Sequence, residues 1–322
     1  MQRFWEKFKD IFLSKGYSWR RVDYPLIAVV LLMGGISAFT LWIIGSGYNT
    51  SANYKKQLIG FALGLFIIAV VALIDYHFIC RFAIIYYILV TGLVAATKFS
   101  PLGSDNDTGA FRWVKIGGFD LQPSELCKIM IIISLAVVFN SMQNRLKTFW
   151  PLLASIVVVA VPLLLILKQP DLSTTIVTAL IFAALLFVAG LSYKIVTGVL
   201  AVSIPSAVIM FTLLIQDKLP FIKSYQVTRV MAWLYPDDYP ADAYQQQNSI
   251  MAIGSGQLWG KGLNNTDATS VKNGNFIPEP QTDFIFAVAG EELGFIGCAI
   301  VIILFGIFIW RGILIAMKSP DM

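Results

Sequence analysis

Eight apolar runs, set apart by charged and turn-forming residues, give this chain its rhythm. They fall near residues 24–44, 57–74, 82–97, 123–139, 149–167, 173–191, 195–215 and 283–310. A bilayer core of about 30 Å is crossed by roughly 17–25 apolar residues in a helix, so each run predicts a membrane span, the third extending into its flanks. The fifth and sixth runs are separated only by Lys168-Gln169-Pro170-Asp171-Leu172, too short for an aqueous domain. The long polar stretch 216–282 predicts a large loop, and Trp233, Tyr235, Tyr244 and Trp259 within it predict partial order on the membrane surface. Before the first span, Phe4, Trp5, Phe8, Ile11 and Phe12 recur at helical spacing among basic residues. That pattern fits an interfacial helix or, alternatively, a basic tail. The expected organisation is a basic segment over 1–21, a transmembrane domain over 22–315 and a short tail over 316–322. The fold class is all-α, a polytopic helical membrane protein.

Composition agrees with the pattern. Hydrophobic residues make up 57% of the chain and charged residues 13%, and the mean hydropathy is +0.73, more apolar than a soluble domain of this size needs. The net charge of +5 is small and gives no reason to expect nucleic acid. Charge position is more informative. With the N-terminus inside, Lys and Arg number twelve on the inner side, among them Arg20, Arg21, Arg81, Arg145 and Lys147. The short outer loops hold six, Lys55, Lys56, Lys98, Arg112, Lys115 and Lys168. The positive-inside rule then turns the loops 98–122 and 216–282 outward. Cys80, Cys127 and Cys298 form no pairing or ligand pattern, and His77 is the only histidine. A zinc site built on several histidines is thereby excluded.

Four polar constellations interrupt this apolar background. Arg112-Trp113 stands ahead of Gln122-Pro123-Ser124-Glu125, with Lys128 three residues on. Pro123 or Ser124 is expected to start the helix, putting Glu125 and Lys128 on one face, where they either lock two helices as an ion pair or serve a site. Trp113 reads as an interfacial anchor or a substrate platform, and Arg112 as a phosphate ligand. Asp171 lies in the break between two spans, either a tight polar hairpin or the lining of a cavity. Arg229 and the stretch Tyr244-Gln245-Gln246-Gln247-Asn248-Ser249, followed by Gly254-Ser255-Gly256, make a polar approach to Asp283. Asp283 itself reads equally as a helix cap or as a catalytic acid. Glu291 and Glu292, deeper in the same run, need partners within the bundle.

Taken in order, GAFRW with QPSELCK, KQPDLST, YQQQNSIMAIGSG and PEPQTDFIFAVAGEELG resemble the SEDS family of polytopic bacterial peptidoglycan glycosyltransferases. The resemblance runs from about Tyr24 to Arg311, and Leu258-Trp259-Gly260-Lys261-Gly262-Leu263 is more like the RodA elongation branch than the FtsW division branch. It implies that Asp283 is the essential acid, that Arg112 and Trp113 match an essential pair, that Glu125 and Lys128 match a functional pair, and that Gln122, Pro123 and Ser124 match the family's QPS. Three departures stand out. Gln281 replaces the usual His, Gln257 replaces the last Gly of GSGG, and the chain stops at Met322, where members normally continue into two more spans.

The function implied is polymerisation of lipid II at the outer face of the bacterial cytoplasmic membrane, in elongation, shape maintenance or division. Asp283 would take a proton from the acceptor hydroxyl, while Arg112, Lys128 or Arg229 meets the pyrophosphate. Gln122, Ser124, Asp171, Gln247 and Ser249 complete the expected substrate site. A divalent cation, magnesium or manganese, is expected, and no organic cofactor. The expected partners are a class B penicillin-binding protein and other elongation or division proteins. A lipid II transporter and a non-catalytic partner of a wall-synthesis complex are the competing readings.

Overall fold

The computed structural model describes residues 22–48, 51–100, 103–104, 111–116, 119–169, 171–190, 192–216, 224–263, 270, 274, 276–277 and 280–319. The interfacial segment expected over 1–21 and the last residues of the tail lie outside the described residues.

All eight apolar runs are helical: α1 (Tyr24–Tyr48), α2 (Ser51–Leu73), α4 (Ala83–Phe99), α5 (Pro123–Ser141), α6 (Trp150–Lys168), α7 (Leu172–Val188), α8 (Tyr193–Ile215) and α11 (Ile285–Met317). A short α3 (Tyr76–Arg81) precedes α4, and α9 (Ser224–Leu234) and α10 (Pro240–Ser255) lie in the long loop. Six of the eight are long and apolar enough to cross a membrane; Ala83–Phe99 and Ser173–Val188 are shorter apolar helices. Leu63, Phe66 and Ile67 of α2 are exposed, as expected for side chains that face lipid, where apolar surface carries no penalty.

The loop after α4 adds one detail to the all-α fold. It folds into a three-stranded antiparallel meander, β1 (Gly103–Ser104), β2 (Trp113–Ile116) and β3 (Phe119–Leu121). Trp113 is registered with Ser104, and Lys115 faces Asp120 across the strands. Gly103 is needed where β1 abuts α4, because a Cβ there would lie 1.9 Å from the Thr97 carbonyl oxygen.

The chain forms two compact units. One covers the described residues of Leu73–Ala207. Its core is built on α5, where Cys127, Ile131 and Leu135 recur every four residues, and on α6, where Leu152, Val159 and Ile166 recur every seven. Both spacings keep the buried side chains on one helical stripe. Asp75 caps α3 by accepting the His77 backbone N–H at 2.8 Å, and the His77 Nδ1 lies equally close. These contacts hold the Asp75 carboxyl below its usual range, the backbone N–H contributing most.

The other unit covers the described residues of 22–72 and 208–319. Here α11 packs against both α1 and α10. Val288 joins Leu41 and Ile44 of α1, while Ala287 joins Ala252 of α10 and Ile277. At the far end of α11, Arg311 donates from Nε to Asp23 Oδ1 at 3.1 Å, and its Nη2 reaches Oδ2. Helix α11 is 33 residues long, roughly 50 Å at about 1.5 Å per residue, well beyond one hydrocarbon core. Gly294, at φ 65° and ψ −164°, breaks it. Residues 295–317, roughly 34 Å of helix, suffice to cross a membrane alone. The half-helix 285–293 and its two glutamates therefore need no place at mid-bilayer.

Candidate active site

Each unit carries one polar centre. In the first, the residues around the α6–α7 break gather in a connected network. Pro123 begins α5, and its missing N–H is no loss at that position. Gln122, just before it, donates to Asp171 Oδ2 at 3.2 Å. Arg112 donates from Nε to the Gln169 carbonyl at 3.2 Å and brings Nη1 to 3.9 Å from Asp171 Oδ2. The other Asp171 oxygen accepts the Thr174 N–H at 3.0 Å and so caps α7, a contact worth roughly 0.5–2 kcal/mol in helices generally. Gln169 is anchored in turn, donating to the Val94 carbonyl at 2.8 Å and to Thr97 Oγ1 at 2.6 Å. The Lys98 ammonium donates to the Lys168 carbonyl.

Two residues of the break are thus buried and cross-braced: Gln169 is 3% exposed and Asp171 5%. Freed backbone groups at a helix break must find partners inside the protein, and the side chains of Arg112 and Lys98 supply two of them. Gln169 was not singled out by the sequence. Its signal was its place in an interruption between two apolar helices.

Glu125 and Lys128 pair with each other, at 2.8 Å, on the same helix. The expectation that this pair locks two helices fails, because an i,i+3 pair on one face satisfies both charges locally. The Glu125 side chain is 54% exposed and that of Lys128 22%. Ser124 is buried, and its Oγ has no hydrogen-bond partner among the described residues. A buried hydroxyl in that state costs about 1–3 kcal/mol, the kind of penalty found where a ligand or water completes the site. Trp113 is half-buried at the start of β2.

In the second unit, Asp283 sits in the turn ahead of α11 and is exposed. It does not cap the helix. The N-cap residue is Phe284, with no side-chain cap bond, and the Asp283 carboxylate engages no group among the described residues. Arg229, on α9, is exposed; Gln247 is half-buried. Ser249 turns its hydroxyl back onto the Gln245 carbonyl at 2.7 Å. Its neighbour Asn248, not picked out from the sequence, is buried and donates to the Phe276 carbonyl at 2.9 Å, tying α10 to the chain segment that leads towards Asp283.

The break at Gly294 is filled by the turn after α10. The N–H groups of Phe295 and Ile296 donate to the carbonyls of Gln257 (2.8 Å) and Leu258 (3.3 Å), and the Glu291 carbonyl accepts the Lys261 N–H at 2.9 Å. Glu291 is 1% exposed, with Oε1 at 2.7 Å from Lys261 Nζ and Oε2 at 3.3 Å from Ser270 Oγ. The partner that a buried glutamate requires thus comes from thirty residues upstream. Glu292 is also buried.

No group of three or more His, Cys, Asp or Glu side chains among the described residues is placed to hold a metal ion. The expected divalent cation finds no resident cage among them, and the chemistry below uses the chain's own side chains.

This architecture defines a polytopic helical membrane protein whose last helix is broken near one end and headed by an exposed acid that engages no group among the described residues. The chain belongs to the FtsW/RodA/SpoVE family of cell cycle proteins, whose family model matches residues 22–322. The peptidoglycan glycosyltransferase MrdB of Escherichia coli (strain K12) is 34% identical over 95% of this chain and 79% of that protein. A probable peptidoglycan glycosyltransferase FtsW of Buchnera aphidicola is 32% identical over 66% of this chain, and the chain spans 57% of that relative's length. Among solved structures, a chain of a peptidoglycan synthase complex that coordinates polymerization and crosslinking matches with a TM-score of 0.70 at 24% identity, over 94% of this chain and 80% of that one. RodA of Thermus thermophilus matches at 0.61 and 20% identity, over 94% of this chain and 78% of its own. Both structural likenesses concern the fold.

Proposed function

We propose that this chain polymerises lipid II into glycan strands, with Asp283 as the general base. The protein is a peptidoglycan glycosyltransferase. The observation that carries the assignment of the base is the state of Asp283: an exposed carboxylate with no partner among the described residues, in the turn that opens a membrane helix. A base must be free to accept a proton and within reach of its substrate, and a carboxylate committed to a cap or an ion pair meets neither condition.

In the reaction, the 4-hydroxyl of the acceptor sugar gives its proton to Asp283. Its oxygen forms the new bond to C1 of the donor, while the C1–oxygen bond to pyrophosphate breaks and the pyrophosphate leaves with the electron pair. Direct displacement inverts the configuration at C1. Pyrophosphate is already a good leaving group, so one carboxylate suffices where glycosidases use two. Arg112, Lys128 and Arg229 are assigned to phosphate oxygens on their chemistry, a guanidinium binding in bidentate fashion and an ammonium as a point charge. Trp113, Ser124 and Gln247 are assigned to the rest of the substrate; Glu125 holds the Lys128 ammonium towards it, and Gln122, Asp171 and Ser249 support the segments that carry them. A divalent ion, magnesium or manganese, belongs to this reading as one that arrives with the pyrophosphate, since magnesium binds through one or two carboxylates plus phosphates rather than an all-protein cage.

The excess of Lys and Arg on the N-terminal side supports placing the site at the outer face of the cytoplasmic membrane. The partner in this reading is a class B penicillin-binding protein, supported by the neighbour found in a complex that couples polymerization to crosslinking. The test is reconstitution with lipid II and analysis of glycan polymer on a gel. The wild-type chain, supplied with its partner, is expected to give polymer and Asp283→Asn none. Polymer formed by folded Asp283→Asn at the wild-type rate overturns the assignment.

A further inference from the structure

The half-helix that follows Asp283 is held at a joint. At Gly294 the backbone enters the left-handed region at φ 65°, and the N–H groups of residues 295 and 296 donate to the carbonyls of Gln257 and Leu258, outside the helix. A segment joined through such a break is free to swing unless something outside the helix fixes it. Several contacts do so. Ala287 and Val288 make apolar contacts with α10 and α1, which hold the half-helix in place but do not specify its rotation, because apolar burial is non-directional. A directional hold comes from Lys261. Its backbone N–H grips the Glu291 carbonyl at 2.9 Å, and its ammonium grips the Glu291 carboxylate at 2.7 Å.

Glu291 is fully buried, whereas the Lys261 side chain is 24% exposed. Burial of an ion pair contributes little net stability compared with an apolar pair of the same size, and its best-attested benefit is a fixed register. Glu291 lies three residues before the break and two helical turns after Asp283. Both grips act on the same residue, so the half-helix cannot rotate without breaking one of them. Ser270 Oγ, at 3.3 Å from Oε2, fixes the second carboxylate oxygen.

We infer that Lys261 and Glu291 are positioning residues for glycosyl transfer, setting the angle and rotation of the half-helix 285–293 and hence the placement of Asp283. The inference rests on the assignment of Asp283 as base. It predicts that breaking the pair loosens Asp283 without removing any group that touches substrate.

The experiment uses the full chain in nanodiscs with its partner, assayed with lipid II. Glu291→Gln and Lys261→Met are expected to lower kcat at least tenfold while KM stays within twofold. The exchange Lys261→Glu with Glu291→Lys is expected to recover most of that loss. A second readout needs no activity. With Cys80, Cys127 and Cys298 replaced, spin labels at Phe286 and Trp310, both exposed, bracket the break. The inter-spin distance distribution is expected to be narrow for the parent and at least twice as broad in Glu291→Gln. Wild-type kcat in both single variants overturns the inference, and so does an unchanged distribution. If Asp283→Asn polymerises normally while the distribution broadens, the joint stands and the assignment of the base falls.

Discussion

Gly256 touches Gly290 backbone to backbone: a Cβ built on Gly256 would lie 2.0 Å from the Gly290 carbonyl oxygen. Four residues on, a Cβ on Gly260 would meet the Glu292 carbonyl at the same distance, and Gly260 itself has φ +83°. The turn that fills the break in α11 therefore depends on two glycines spaced one helical turn apart, with Gly294 as the third member on the helix side. No flexible side chain stands in these contacts, so the backbone itself would have to move to admit a methyl group.

Gly256→Ala is accordingly expected to destabilise the packing of α10 on α11, by about 1–3 kcal/mol as overpacking generally does. Gly260→Ala should cost more, since a left-handed conformation adds about 1–2 kcal/mol for a residue with a Cβ. Gly254, where an added methyl would meet nothing within 4 Å and φ is not positive, is the control and should tolerate Ala with little loss. Thermal unfolding in detergent ranks the three. Equal midpoints for Gly254→Ala and Gly260→Ala would contradict the close approach.

The positions of the eight apolar helices were legible in the sequence because length and hydropathy alone select them. The meander was not, since strands of two to four residues around Gly103 and Trp113 offer too little alternation to register. Nor was the joint at Gly294: Gly290-Glu291-Glu292-Leu293-Gly294 reads as a polar interruption of one continuous run, and a broken helix has the same composition as an intact one. The need for a partner to Glu291 was readable from its burial in an apolar segment. The identity of that partner was not, because pairing over thirty residues is a property of the tertiary fold. Asp171 shows the opposite case. Its polar break was visible, but its cap to Thr174 and its contacts with Gln122 and Arg112 emerge only when three segments meet.

The pairing of Asp23 with Arg311 makes a prediction about pH. The Asp23 carboxyl is held below its ordinary range, first by the hydrogen bond from Arg311 and then by the Leu26 N–H. A carboxyl whose pKa is lower when folded contributes stability above its unfolded value, about 4. That contribution is lost as the pH falls through the folded value. Asp23→Asn should therefore unfold at a lower temperature than the parent at pH 7, and the gap should close progressively below about pH 4. Thermal melts of both proteins across that range provide the measurement. A gap that stays constant down to about pH 2.5, well below the unfolded value, would mean that the Arg311 contact does not act through the Asp23 charge.

Glu125 and Lys128 offer a way to separate stability from function. Their bridge is local to one helix, and Glu125 is more than half exposed, so the pair should contribute only about 0.3–0.5 kcal/mol to folding. Glu125→Gln is then expected to leave the melting temperature within a degree or two of the parent. If the pair merely decorates the helix, lipid II polymerisation should be equally unaffected. Under the proposed function the result differs: Glu125 keeps the Lys128 ammonium oriented within 2.8 Å, and releasing it should lower kcat/KM at least tenfold, about 1.4 kcal/mol of transition-state stabilisation. Lys128→Met should lose at least as much, and the double variant little more than Lys128→Met alone, because residues that act as one unit are not additive. Strict additivity of the two losses would show that Glu125 and Lys128 meet the substrate independently.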